Sequence, residues 1–192
     1  WPPTYYNAIG QEDDEFWENN DVSGFYDINN ELDAGMSNDD GVALMRERHG
    51  DQWADMMRYY LDNFVDSLTG VVPGARVLIN DLKAAGVHVW GLSNWQKDSF
   101  PIALDNFDIL RSLEDRVVSG YVGLRKPHRD IYDYALKQFG IDASGALFVD
   151  DKAMNIVGAN EAGIRGVRFK DARALRTLLI DAGVAIPAVH EK

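Results

Sequence analysis

Ala146-Leu147-Phe148-Val149-Asp150-Asp151 is an apolar run that stops abruptly at two adjacent carboxylates. Ala146–Val149 reads as a short buried strand. Residues 153–162 read as a helix closed by Gly163, and Gly166–Phe169 as a further strand. Working upstream, residues 128–139 predict an amphipathic helix ended by Gly140, with Ile131, Tyr134, Ala135, Leu136 and Phe139 as its apolar residues. Pro127 fits the first turn of that helix. Val117–Val122 reads as a strand or extended arm, and a helix falls within 97–112. Val87-His88-Val89-Trp90-Gly91-Leu92 predicts another buried strand, preceded by a helix over Ala75–Ala85 that Gly86 closes. Downstream, Asp171–Ala182 predicts a last helix with Leu175, Leu178 and Leu179 on one face. Strands alternating with helices imply an α/β fold with a parallel sheet.

The first third of the chain has a different rhythm. Over 11–69, apolar residues such as Leu32, Val42, Met45, Trp53, Met57, Leu61 and Phe64 recur at helical spacing, without β-alternation. Ser37-Asn38-Asp39-Asp40 is an N-cap cluster for a helix over 40–48. The expectation is an all-α insertion of about four short helices. Charge divides the same way. Residues 1–70 carry 16 Asp and Glu against 3 Lys and Arg, whereas residues 71–192 carry 15 against 16. The organisation predicted is therefore an α/β core of 1–10 and 70–192 with an inserted helical domain over 11–69.

A net charge of −12 over 192 residues, with no basic face, speaks against a nucleic-acid partner. No apolar run approaches the ~20 residues of a membrane span. The absence of cysteine excludes disulfides and thiolate chemistry. A cytoplasmic location is the expectation.

In open α/β sheets ligands bind beyond the carboxyl ends of the strands. Ser93-Asn94 directly follows one predicted strand and Asp150-Asp151 another, while Lys126-Pro127 lies in the connection between them. The separations are 33 residues from Ser93 to Lys126 and 24 from Lys126 to Asp150. Phosphoryl transfer needs an in-line nucleophile, positive charge around the spreading oxygens, a metal, and an acid for the leaving group. Ser93 Oγ and neighbouring N–H groups suit phosphate oxygens, although serine at this place is also an ordinary helix N-cap. The Asn94 amide suits phosphate or substrate, or a turn. Lys126 supplies a full positive charge. Two adjacent carboxylates are costly without a cation, and Mg²⁺ is a hard ion held by one or two carboxylates, waters and substrate phosphate. Alternatively, the acidic pair starts a helix. Asn155, one turn into that helix, is suited to orienting an aspartate. Trp95 is a candidate for the pocket wall.

These stretches resemble the haloacid dehalogenase-like hydrolase superfamily. Val87–Trp95 (VHVWGLSNW), Val118–Tyr132 (VSGYVGLRKPHRDIY) and Leu147–Gly163 (LFVDDKAMNIVGANEAG) look like its second, third and fourth motifs. The likeness extends through Val167-Arg168-Phe169. The 11–69 region, with Leu32-Asp33-Ala34-Gly35, looks like the helical cap of its first subclass, in the branch of sugar-phosphatase-like enzymes. The resemblance implies a Rossmann-like parallel sheet under that cap, and a Mg²⁺-dependent phosphatase of a small phosphorylated metabolite, sugar phosphates among the candidates. Its reaction would run through an aspartyl-phosphate intermediate. Ser93, Asn94 and Trp95 would face the substrate, Ser93 and Asn94 holding its phosphate. Lys126 would steady the intermediate, and Asp150 and Asp151 would hold Mg²⁺, the direct ligand being undecided. In this subclass, cap residues set specificity. Trp17, Phe25, Tyr26, Trp53 and Tyr60 are contributors to consider, each also a natural cap-core residue.

One part is missing. The family's first motif, an apolar strand ending in Asp-x-Asp-x-Thr or Asp-x-Gly-Gly-Val, has no match in the sequence. Phe25-Tyr26-Asp27-Ile28-Asn29 is a decoy inside the helical region. In this family tryptophan and proline often follow that motif, as Trp1-Pro2-Pro3 stand here. The expectation is that a short upstream stretch carries the nucleophile and the first strand, and that this sequence alone would be inactive. Losing that strand would leave its neighbours with open edges. The alternatives are a metal-free 2-haloacid dehalogenase, against which the acidic pair argues, and a non-catalytic binding module. A phosphomutase would need a second phosphate pocket, which the acidic helical region disfavours.

Overall fold

The computed structural model describes residues 21–188, in two compact units that each gather several chain segments. The expectations for Trp1-Pro2-Pro3, Trp17 and residues 11–20 lie outside the described residues.

The first unit comprises the described residues up to Thr69 together with Ser93–Asn106 and Val118–Arg125. Its helices are α1 (Phe25–Asp33), α2 (Asn38–His49) and α3 (Asp51–Asp62), followed by a 3-10 turn at Phe64–Ser67. Ile28 and Leu32 of α1, Val42 and Met45 of α2, and Ala54, Met57 and Leu61 of α3 form a buried core. These are i, i+4 and i, i+3, i+7 positions, so each helix turns one stripe inward. Ser37 caps α2, its hydroxyl accepting from the Asp40 N–H at 3.1 Å. Asp27 of the decoy sequence lies in α1 and pairs with Arg48. Arg46, Arg48 and Arg58, the only lysine or arginine side chains of residues 21–69, all pair with aspartates at the surface. Such exposed pairs add little stability.

The second unit comprises Gly70–Leu92, Phe107–Val117 and the chain from Lys126 onward. It contains α4 (Ala75–Ala84), and β1 (Gly91–Ser93) begins in it. After α5 (Phe100–Asn106) in the first unit come α6 (Asp108–Arg111) and β2 (Arg116–Val118). The short α7 (Ser119–Val122) returns to the first unit. The chain then runs through α8 (Arg129–Phe139), β3 (Leu147–Asp150), α9 (Ala153–Glu161), β4 (Arg165–Arg168) and α10 (Ala172–Asp181). The β3 and β4 strands are parallel, from Leu147 opposite Arg165 to Asp150 opposite Arg168. With α9 as their crossover they form the β-α-β unit that Ala146–Asp151 foretells.

The fold is mixed α/β, as the alternation of strands and helices implies. Several details differ from the sequence reading. The strand expected over 87–92 is confined to β1, because Val87 and His88 lie at the surface and the ladder begins only where Val89 O accepts from Glu114 and Gly91 N–H donates to Asp115. Val117–Val122 divides into the end of β2 and the short helix α7. The 97–112 segment holds two helices instead of one, broken at Phe107, which is extended. Pro127 precedes α8 instead of filling its first turn, and the Lys126–Pro127 peptide is cis. On α8 Ile131 and Ala135 face inward as expected, but Tyr132 is buried in place of Tyr134, which is exposed. On α10 the inward stripe is Ala172, Arg176 and Leu179, leaving Leu178 at the surface. Arg176 is buried because Asp81 pairs with it at 2.7 Å and the Pro187 carbonyl accepts from it at 2.6 Å. Among the described residues the strands form two separate pairs, β1 with β2 and β3 with β4, instead of one continuous sheet. β1 and β3 each have a single strand neighbour there.

Gly158 fixes how α9 approaches the segment before α8. A Cβ at this position would stand 2.2 Å from the Pro127 carbonyl oxygen, a backbone atom that cannot swing aside. Gly158→Ala should therefore destabilise the protein by about 1–3 kcal/mol, seen as a lower urea midpoint. Gly145→Ala, where nothing lies within 4 Å, should stay within about 0.5 kcal/mol of the parent. Equal midpoints for the two variants would refute the close approach.

Candidate active site

Lys126 and Asp150 are joined at the carboxyl end of β3. The Lys126 ammonium lies 2.5 Å from Asp150 Oδ2, and the two side chains are only 8% and 6% exposed. The same ammonium donates to the Leu92 carbonyl of β1 at 3.0 Å. It also stands 5.4 Å from the centre of the Phe148 ring, within cation–π range. One lysine thus ties the end of β1 to the end of β3. The other Asp150 oxygen accepts from Asn155 Nδ2 and from the Lys152 N–H, each at 2.9 Å. Burial pushes the Asp150 carboxyl up, but the Lys126 charge and these hydrogen bonds outweigh it. Asp150 therefore ionises below the ordinary carboxylate range and is charged at neutral pH.

Asp151, the next residue, is exposed. Its backbone carbonyl accepts from Arg168 Nε at 2.9 Å, which fixes the turn out of β3 while the carboxylate faces outward. The adjacent acids thus do different things: Asp150 is consumed by internal partners, whereas Asp151 is open to solvent. Among the described residues no group of three or more Asp, Glu, His or Cys side chains is placed to hold a metal. A pair of carboxylates suits a hard ion that keeps most of its waters.

Ser93, Asn94 and Trp95 belong to the first unit and continue from the end of β1. The Ser93 hydroxyl faces the Asn94 carbonyl at 3.4 Å, a long contact that leaves it available to a stronger acceptor. Trp95 is firmly held. Its N–H donates to Ser119 Oγ at 2.9 Å, its carbonyl accepts from the Gly120 N–H at 3.1 Å, and its indole N–H donates to Ser99 Oγ at 3.1 Å. Ser119 is fully buried, and a Cβ at Gly120 would stand 2.5 Å from the Lys97 nitrogen and 2.7 Å from the Trp95 carbonyl.

Sequence reading gave no role to Ser119, Gly120, Tyr132 or Leu92. Tyr132 is completely buried; its hydroxyl donates to the Asn155 carbonyl at 2.7 Å and its ring meets Phe148 edge-on. Burial, then the charge of Asp150, raises its pKa far above the ordinary phenol value, so it stays a neutral donor. Only Val118-Ser119-Gly120, a small polar pair after two valines, carried a sequence signal.

The profile of haloacid dehalogenase-like hydrolases matches residues 21–169, more than three quarters of the chain. The chain belongs to the haloacid dehalogenase-like hydrolase family. This hydrolase-family chain has phosphatases among its relatives. It is 32% identical over 111 residues to a sesquiterpene phosphatase of Aspergillus oryzae, a match covering 53% of each chain. It is 33% identical over 106 residues to a glyceraldehyde 3-phosphate phosphatase of Pyrococcus abyssi, covering 52% of this chain and 42% of that one. The chain spans about half the length, or less, of the curated relatives it matches. Among solved structures, a HAD family enzyme of Bacteroides thetaiotaomicron superposes with a TM-score of 0.65 at 20% identity, over 91% of this chain and 87% of that one. That likeness establishes the shared fold. Among the described residues no helix is long and apolar enough to cross a membrane.

Removing one partner of a buried ion pair strands the other, at a cost of about 3–5 kcal/mol. Lys126→Met and Asp150→Asn should each lower stability by that order. The double variant should lose less than the two single losses added, in a double-mutant cycle of urea unfolding. Strict additivity would mean the two groups do not meet.

Proposed function

We propose that this chain forms the body of a Mg²⁺-dependent phosphatase acting on a small phosphorylated molecule. The observation that carries the reading is the division of labour in the acidic pair. Asp150 is saturated by Lys126, Asn155 and the Lys152 N–H, while Asp151 stands open beside it. The donor set fits Mg²⁺, with Asp151 as the direct ligand and Asp150 as the charge that holds Lys126 in place. Bound there, the ion would neutralise charge on the phosphoryl oxygens.

The chain's own residues supply the rest. Lys126 presents a fixed ammonium, held by Asp150 and the Leu92 carbonyl, that needs no reorganisation as negative charge spreads during transfer. Ser93 Oγ and the Asn94 amide donate to phosphate oxygens. The fixed Trp95 keeps the backbone after them rigid. Asn155 and Tyr132 position Asp150. The aspartate that attacks phosphorus has no counterpart in this sequence, so the reaction is proposed for the protein in which a preceding strand supplies it. The phosphatase relatives support this chemistry. The 2-haloacid dehalogenase alternative would leave the exposed Asp151 carboxylate without use.

The test uses the chain extended upstream to include an aspartate-bearing strand. It should release phosphate from p-nitrophenyl phosphate with Mg²⁺, lose the activity in EDTA, and release no halide from 2-chloropropionate. Halide release in EDTA would sink the proposal. Lys126→Ala should lower kcat of the folded fraction by about 10²–10³, the usual cost of a preorganised charge contact. Asp151→Asn should raise the Mg²⁺ concentration needed for half-maximal activity, yet leave the urea midpoint within about 0.5 kcal/mol of the parent.

A further inference from the structure

The first unit contains a cavity of about 570 Å³ with a largely apolar lining. That size lies within the range of small-molecule pockets. Buried Met45 and Met57 contribute to it from α2 and α3, and Phe25, Trp53, Met56 and Tyr60 line it further. Trp53, Met56 and Tyr60 recur at i, i+3 and i+7, so one face of α3 supplies much of the lining. Met56 is 44% and its neighbour Tyr59 71% exposed, more apolar surface than a helix needs to show.

Two observations say what belongs there. First, an unbroken file of aromatic rings leads from the cavity to the segment that carries Ser93 and Asn94. Phe25 meets Tyr60 at 5.4 Å, Tyr60 meets Phe64 at 5.8 Å, and Phe64 meets Trp95 at 6.1 Å, all edge-on. Second, the charged residues in the lining are acidic. Asp55, paired with Arg46, and Asp66 both border the cavity, and its lining contains no lysine, arginine or histidine. An anionic group or a second phosphate finds no cation there. The Ser23, Asn63 and Ser67 side chains of the lining already donate to Asp21, the Tyr59 carbonyl and the Phe64 carbonyl, which disfavours a sugar, whereas methylene groups would displace water from the thioether and aromatic groups favourably.

We propose that this cavity receives a hydrocarbon, so that the phosphate ester hydrolysed carries an extended apolar chain or ring system in place of a polyol. The proposal rests on the phosphatase reading for its phosphate end, and on the cavity alone for its apolar end.

Calorimetric titration of this chain with n-alkanols and n-alkyl monophosphates of increasing length separates the two. In both series the affinity should rise with each added methylene, by up to about fourfold per step, the equivalent of about 0.8 kcal/mol for a buried CH₂. Met56→Glu puts a charge on the cavity wall at a partly exposed helical position and should flatten that rise, with circular dichroism unchanged. Val157→Glu, exposed on α9 of the other unit, should leave it intact. Affinities independent of length, or a rise that persists in both Met56→Glu and Phe25→Ala, would overturn the proposal. Because alkanols carry no phosphate, their failure to bind counts against the cavity alone. Failure of the upstream-extended chain to release phosphate from any ester counts against the phosphatase reading alone.

Discussion

A single buried ammonium ties together the ends of two strands in the second unit. Lys126 has three protons to place, and the structure gives it an ionised carboxylate on β3 and a backbone carbonyl on β1, above an aromatic ring. Burying an ammonium without a partner is costly. Asp150 would be equally unwelcome there alone. Each makes the other tolerable, and Asn155 and the Lys152 N–H take up the remaining lone pairs. A buried ion pair is weak evidence of net stabilisation. What it supplies is position: a fixed positive charge at the end of a β-strand, where α/β folds bind their ligands.

The neighbourhood is built to keep that pair fixed. Gly158 lets α9 come down onto Pro127, the residue next to Lys126. Tyr132 fills the space between, bonded to the backbone of Asn155, with its ring against Phe148. Helix α8, helix α9 and strand β3 therefore converge on one acid–base contact. In the first unit the arrangement is parallel though the chemistry is neutral: buried Ser119 and the bare backbone of Gly120 clamp Trp95, immediately after Ser93 and Asn94. Rigid support behind the residues that meet a ligand is what preorganised chemistry requires.

The two units differ in what their surfaces suit. Helices α1 to α3 carry a strong excess of acid yet enclose an apolar cavity, a combination that repels anions while welcoming hydrocarbon. The second unit brings a nearly balanced charge and the fixed ammonium. Phosphatase relatives that differ as much as one acting on a sesquiterpene and one acting on glyceraldehyde 3-phosphate are consistent with a shared chemical apparatus and divergent recognition surfaces.

Much of this was legible in the residues themselves. The abrupt change from Leu147-Phe148-Val149 to two aspartates marked where β3 ends, but not its burial: Leu147 is exposed, Phe148 and Val149 are half-buried, and Asp150, matched by Lys126, is the one buried residue of the strand. The helical spacing of Leu32, Met45, Met57 and Leu61 marked the helical core, and Ser37 its cap. Local pattern failed where long-range contacts decide. Only the fold could show that Asp150 turns inward and Asp151 outward, since neighbouring residues in a turn obey no periodicity. Only the fold could bring Leu92 to Lys126, 34 residues away, or Ser119 to Trp95, 24 away. The burial of Tyr132 on α8 and of Arg176 on α10 went unpredicted because their partners, Asn155 and Asp81, are contained in no helical wheel. Sequence determines which surfaces are apolar and which residues can carry charge; tertiary structure decides which charges meet, because burial makes a lone charge intolerable and a matched pair permissible.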